Sequence, residues 1–140
     1  MARNLPLSIL TALFAVRLCV AFVHGHSHDE LAVPLAAWQN AFVWLAIVIG
    51  PLLAMVWLWI RPNATVAWAL VALLAAGWIF GLYFHFGPMN PDHVSAQPPG
   101  SEREMFAMTA VALAIVEPLT ALAAVWLART LSRAGRTSHA

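Results

Sequence analysis

Four long apolar runs divide this sequence, and each is about as long as a helix that crosses a bilayer. Lipid offers no partners to backbone N–H and C=O groups, so a crossing segment takes about 20 mostly apolar residues in a helix. The composition agrees, because 62% of the 140 residues are hydrophobic and only 9% are charged. The sequence therefore predicts one all-α domain over residues 1–140, an integral membrane four-helix bundle of up-down-up-down topology. The predicted spans are residues 5–23, 38–60, 64–86 and 104–128.

The charged residues are unevenly divided between the two ends of this predicted bundle. One end contains both termini and the connection between the second and third spans, and it carries arginines without acids. These arginines are Arg3, Arg61, Arg129, Arg133 and Arg136. Since cytoplasmic segments are enriched in basic residues, both termini are predicted to be cytoplasmic, with the protein in the plasma (inner) membrane. Residues 129–140 then form a basic cytoplasmic tail, and the acid-rich loops 24–37 and 87–102 face the periplasm or the outside.

Five of the six histidines fall in or beside the two predicted outer loops. The first loop begins with three alternating histidines, and in an extended segment alternate side chains point the same way. Several imidazole nitrogens beside a carboxylate suit a borderline divalent ion such as zinc or copper. The predicted metal ligands are His24, His26, His28, Asp29, His85 and His93. The alternative interpretation is that these residues form polar turns without an ion.

Three methionines bear on the identity of such an ion, because thioether sulfur favours copper(I) and contributes little to a zinc site. Met89 lies in the second loop, and Met105 and Met108 lie one helical turn apart at the start of the fourth span. We treat them as possible soft ligands. Packing is the alternative role for the last two.

Two charged residues, Arg17 and Glu117, lie inside the first and fourth spans. Counted from the cytoplasmic side, both lie at the same depth, roughly 18 Å at 1.5 Å per helical residue. Charges within a membrane usually face the bundle interior and pair, so we predict an ion pair between the two helices. Two roles for this pair remain open. In the first, the pair serves helix packing alone. In the second, Glu117 takes up a proton or cation, or contacts a quinone head group, in a cavity opened by Pro118.

A short series of residues resembles small DoxX-type four-helix membrane proteins. The series is Arg17, then Phe22-Val23-His24-Gly25, Gly50 in the second span, Arg61 in a short turn, and a third span that ends in histidine. The resemblance implies an accessory role beside a quinone-linked redox enzyme. The His-x-His-x-His pattern as a whole is not attributed to that family.

Three classes of function remain open. The leading hypothesis is a non-enzymatic metal-handling accessory protein that holds copper or zinc. The second is a quinone-binding or b-type haem-binding subunit of a membrane redox complex, with His24 and His85 as axial ligands. The third is a structural or assembly subunit. The expected partners are the lipid bilayer and a larger membrane complex or further copies of the chain, and no basic patch suggests nucleic acid. Phosphate-binding loops, nucleophile elbows and His-Glu-x-x-His or haem-attachment motifs do not occur in the sequence.

Overall fold

The computed structural model describes residues 4–88 and 90–137, and within these ranges the regular structure is helical, without strands. The helices are α1 (Asn4–Glu30), α2 (Ala37–Phe42), α3 (Gly50–Ile60), α4 (Ala64–Phe86) and α5 (Ser101–Thr137). A π-helical segment, Val43–Ile49, joins α2 to α3, so that 37–60 form one continuous helical element. Four elements are thus long and apolar enough to cross a membrane, which confirms the predicted all-α chain with four long apolar helices.

Helix α1 continues to Glu30, about two turns beyond the predicted start of the first loop. It ends in a Schellman arrangement, in which Ala32 has a φ of +48° and its N–H donates to the carbonyl of Asp29. The N–H of Val33 donates to the carbonyl of His28, so two of the last carbonyls of the helix are satisfied. The prediction of a loop from residue 24 is therefore wrong for 24–30. Relative to alanine, Gly25 destabilises the helix by only about 1 kcal/mol, and tertiary packing can offset this cost.

The connection between α3 and α4 is a short turn. Pro62 lacks an N–H and cannot extend α3, which ends at Ile60. The Asn63 side chain then caps α4, because its Oδ1 accepts from the N–H groups of Thr65 and Val66 at 2.7 and 3.2 Å. At the other end of the chain, α5 runs through the predicted basic tail as far as Thr137.

Two prolines within long helices each free a backbone carbonyl, which a side chain from another helix satisfies. Pro51 cannot donate to the carbonyl of Ile47, four residues earlier, and Arg17 Nη2 donates to this carbonyl at 2.9 Å. In the same way Pro118 leaves the carbonyl of Ala114 without its α-helical donor, and Trp78 Nε1 donates to it at 2.9 Å. A hydrogen bond from another helix is therefore present one turn before each proline.

Helix α5 packs against both α1 and α4, and α4 also packs against α3 and the π-helical segment. The bundle has two unlike halves, which we call the arginine end (the α3–α4 turn and the end of α5) and the histidine end (the ends of α1 and α4 and the start of α5). A closely packed apolar core fills the half nearer the arginine end. Its buried residues are Leu7, Leu10, Phe14, Met55, Leu58, Ala67, Leu70, Leu74, Ala123, Ala124, Leu127 and Ala128. The other half contains a largely apolar cavity of about 900 Å³.

Candidate metal centre

Three histidines from two helices meet at the histidine end of the bundle. His24 and His28 are four residues apart on α1 and therefore share one face, and His85 comes from the last turn of α4. One ring nitrogen from each of the three residues can be chosen so that all lie within 4.8 Å of one another. The closest pair is His24 Nε2 and His85 Nε2, which are 3.1 Å apart. This three-histidine cluster lines the cavity.

Phe106, at the start of α5, packs against all three imidazole rings. Its ring is stacked on that of His24, with centroids 4.9 Å apart, and it meets His28 and His85 edge-on at 4.9 and 5.4 Å. Phe106 is fully buried, as are more than nine-tenths of His24 and His85. The aromatic contacts restrict ring orientation, so the nitrogen positions are held by packing.

A hydroxyl group on α5 holds the second nitrogen of His24. Thr109 Oγ1 lies 2.9 Å from His24 Nδ1 and 2.8 Å from the carbonyl of Met105. If the single hydroxyl hydrogen is donated to that carbonyl, Thr109 accepts from His24 Nδ1–H, and His24 Nε2 carries a lone pair. If the hydrogen turns to His24 instead, Nε2–H donates to His85. The first arrangement suits a metal ion and the second a chain of hydrogen bonds.

The loop after α4 brings an acidic residue under the other two histidines. Asp92 is buried, and its Oδ1 and Oδ2 lie 3.4 Å from His28 Nε2 and 3.5 Å from His85 Nδ1. His85 Nδ1 also lies 3.3 Å from the carbonyl oxygen of Asp92. Buried Gln97 holds this loop in place, since its Nε2 donates to the carbonyl of Pro91 at 2.8 Å. Asp92 thus favours a proton on the outer nitrogen of each ring, which directs the other nitrogen inward.

Two buried polar atoms of this cluster have no hydrogen-bond partner among the residues that the structure describes. They are His28 Nδ1 and Asp92 Oδ1, whose contact with His28 Nε2 is too poorly aligned to count as a hydrogen bond. An unpaired buried polar atom costs about 1–3 kcal/mol. The cluster is therefore incomplete as a set of protein hydrogen bonds, and a cation beside His28 Nδ1 would give that nitrogen a partner.

The remaining predicted ligands lie outside this cluster. His26 points away from it, because alternate residues of a helix lie on opposite faces, and its exposed ring is 4.0 Å from Glu30. The predicted extended segment with three parallel imidazoles is therefore wrong. Asp29 is exposed, and His93 Nδ1 accepts from the backbone N–H of Ser95 at 3.1 Å.

The methionines also lie outside the three-histidine cluster. Met105 and Met108 are on α5 with 40% and 62% of their surface exposed, which fits contact with lipid or a partner better than ligation. Met89 falls outside the described residues. The three-histidine cluster thus offers imidazole nitrogens, with the Asp92 carboxylate beside them, and contains no thioether sulfur among the described residues.

The structure places Arg17 beside Glu117, about halfway along the bundle. Arg17 Nε donates to Glu117 Oε1 at 2.8 Å, and both side chains are almost completely buried. Arg17 also lies over the ring of Phe14, with Cζ 5.6 Å from the centroid. One atom of each charged group, Arg17 Nη1 and Glu117 Oε2, has no hydrogen-bond partner within 4–88 and 90–137.

Sequence reasoning missed Asp92, Thr109 and Phe106 as parts of the site. Thr109 carried a usable signal, since it is a polar residue in an otherwise apolar run of α5. The spacing of His24 and His28 was a second usable signal, because residues four apart share a helix face. Asp92 gave none, because its position depends on how the irregular loop folds back over His85.

Comparison with known proteins gives no match: no family model, curated protein or solved structure is similar to this chain. Its functional assignment rests on the geometry of the site.

Proposed function

We propose that this protein is a multi-pass membrane protein that binds one zinc or copper ion through His24, His28 and His85 and acts as a metal-handling accessory protein. The observation that carries the proposal is that one ring nitrogen of each histidine lies near Thr109 or Asp92, which leaves the other ring nitrogen to bind an ion. Metal-bound histidines nearly always have such an outer partner, which selects the tautomer and the ring orientation.

The spacing of the His24 and His85 nitrogens supports a small divalent ion, and the three nitrogens of the cluster lie within 4.8 Å of one another. Zinc–nitrogen bonds of about 2.0–2.1 Å in a tetrahedron separate two ligand nitrogens by roughly 3.3 Å. The 3.1 Å between His24 Nε2 and His85 Nε2 is close to this value. Imidazole ligands suit zinc and copper(II), and three of them leave a fourth position for water or a transferred ligand.

The same distance argues against a b-type haem between His24 and His85. Axial ligands lie on opposite faces of a porphyrin, whereas these two nitrogens are within hydrogen-bond distance of each other. No space separates them for the macrocycle. Among the two redox-subunit alternatives, haem binding is therefore the weaker one.

We infer that the four long helices cross the membrane in up-down-up-down order, with both termini in the cytoplasm. Arg61, Arg129, Arg133 and Arg136 support this orientation, which places the metal centre at the periplasmic or outer face of the inner membrane. A reporter that is active only outside the cytoplasm, fused after Ala140, should be inactive. The same reporter inserted after Pro98 should be active, and the reverse pattern would contradict the orientation.

Metal binding is tested on protein purified without a histidine tag. Elemental analysis should find about one zinc or copper ion per chain at neutral pH. Because protons compete with the ion for the imidazole nitrogens, acidification should release the bound ion. The control is the variant with His24, His28 and His85 all replaced by alanine. Equal metal content in this variant and the wild type would exclude the proposal and favour a structural subunit.

A further inference from the structure

The cavity in the histidine half of the bundle extends to a second polar site, at Glu117. Its walls come from α1, the π-helical segment, α4 and α5, and they include Phe22, Trp44, Trp78 and Phe80. Glu117 lies eight residues from Thr109 along α5, or about 12 Å at 1.5 Å per residue. The Glu117 end of the cavity is thus separate from the three-histidine cluster.

The unpaired carboxylate oxygen specifies the kind of group that would bind there. Glu117 Oε2 is buried, and within the described parts of the chain no donor reaches it. It lies beside Gly77, where a Cβ atom would be 3.6 Å from Oε2 and would meet Ile47 Cγ1 at 3.4 Å. A glycine at this position therefore leaves room for a group of about the size of a methyl next to the oxygen. An acceptor in such a place requires a hydrogen-bond donor.

The charges around Glu117 favour a neutral donor. Arg17 Nε already neutralises the carboxylate through the 2.8 Å ion pair, so a second cation would be repelled by the guanidinium. An anion would be repelled by the carboxylate. The walls are mostly apolar and contain several aromatic rings, which suit a flat ring by stacking or edge contacts.

We propose that this cavity binds a membrane-soluble phenol, whose hydroxyl group donates its hydrogen to Glu117 Oε2 while its ring lies among the aromatic side chains. The cavity lies within the helices that are apolar enough to cross the bilayer, so the ligand reaches it from lipid. Its volume of about 900 Å³ is in the range of sites for small organic ligands. This inference is independent of metal binding at the histidines.

The test compares 4-hexylphenol with its methyl ether, 4-hexylanisole, by isothermal titration calorimetry of the protein in lipid nanodiscs. Heats from empty nanodiscs are subtracted to remove partition into lipid. The phenol should bind saturably at one site per chain and about tenfold more tightly than the ether, which has no hydrogen to donate to the carboxylate. Equal affinities would overturn the proposal, because the cavity would then select only apolar bulk. The absence of saturable heat with either compound would overturn it as well.

Two variants extend the test. Gly77→Leu should abolish phenol binding, because its side chain would occupy the space beside Oε2, and thermal unfolding should show that the fold is retained. Replacing both Arg17 and Glu117 by leucine removes the acceptor, so the phenol and the ether should then bind equally. A preference for the phenol that persists in the double variant would assign the hydroxyl to another partner and contradict the proposed site.

Discussion

Replacing His28 with alanine is expected to weaken zinc binding by more than about 100-fold, whereas replacing His26 with alanine should leave it unchanged. His28 Nδ1 is a buried ring nitrogen that has no hydrogen-bond partner within 4–88 and 90–137, and His26 is exposed on the opposite face of α1. The two variants are well matched, since each removes one imidazole from the same turns of the same helix. Competition with a chromophoric zinc chelator at neutral pH measures the difference.

Asp92→Asn provides an intermediate case. The amide still fills the space beside His28 and His85, but it removes the charge that favours a proton on their outer nitrogens. Losing such an outer partner typically costs 10–100-fold in metal affinity, which is less than the loss of a ligand. Equal effects of His26→Ala and His28→Ala would contradict the assignment of the ion to the buried cluster.

Glu117→Gln is expected to destabilise the bundle by about 3–5 kcal/mol, because it leaves the guanidinium of Arg17 buried without its counter-charge. Thermal or denaturant unfolding in detergent micelles, followed by helical circular dichroism, measures this change. The matched control is Glu102→Gln on the exposed first turn of the same helix, where the free energy of unfolding should change by no more than about 0.5 kcal/mol.

Replacing both Arg17 and Glu117 by leucine should restore much of the lost stability, since well-packed apolar residues often substitute for a buried ion pair. The recovery should be incomplete. Arg17 Nη2 also donates to the carbonyl of Ile47, which Pro51 leaves without its α-helical donor, and the double variant loses this hydrogen bond. Unchanged stability of Glu117→Gln would show that the pair does not hold the helices together.

The sequence by itself determined that the chain forms four long apolar helices and that Arg17 and Glu117 lie at the same depth in two of them. Apolar runs of about 20 residues have few stable alternatives to a helix, because their backbone groups need internal partners. Arg17 and Glu117 could be matched from residue counts alone, since helical rise is constant. Counting back four residues from Pro51 and Pro118 identifies the carbonyls of Ile47 and Ala114 as those that lose their α-helical donors. In the structure, the side chains of Arg17 and Trp78 donate to these carbonyls.

Only the tertiary structure decided which histidines meet. The extension of α1 to Glu30 changes the side-chain period from two to 3.6, and this change brings His24 and His28 together and turns His26 outward. Local sequence could not decide it, because Gly25 and the polar residues around it fit a loop as well as a helix end. The contacts with Phe106, Thr109 and Asp92, which are distant in the chain, stabilise the helical form. The site therefore depends on the packing of α1, α4 and α5, and no single segment carries it.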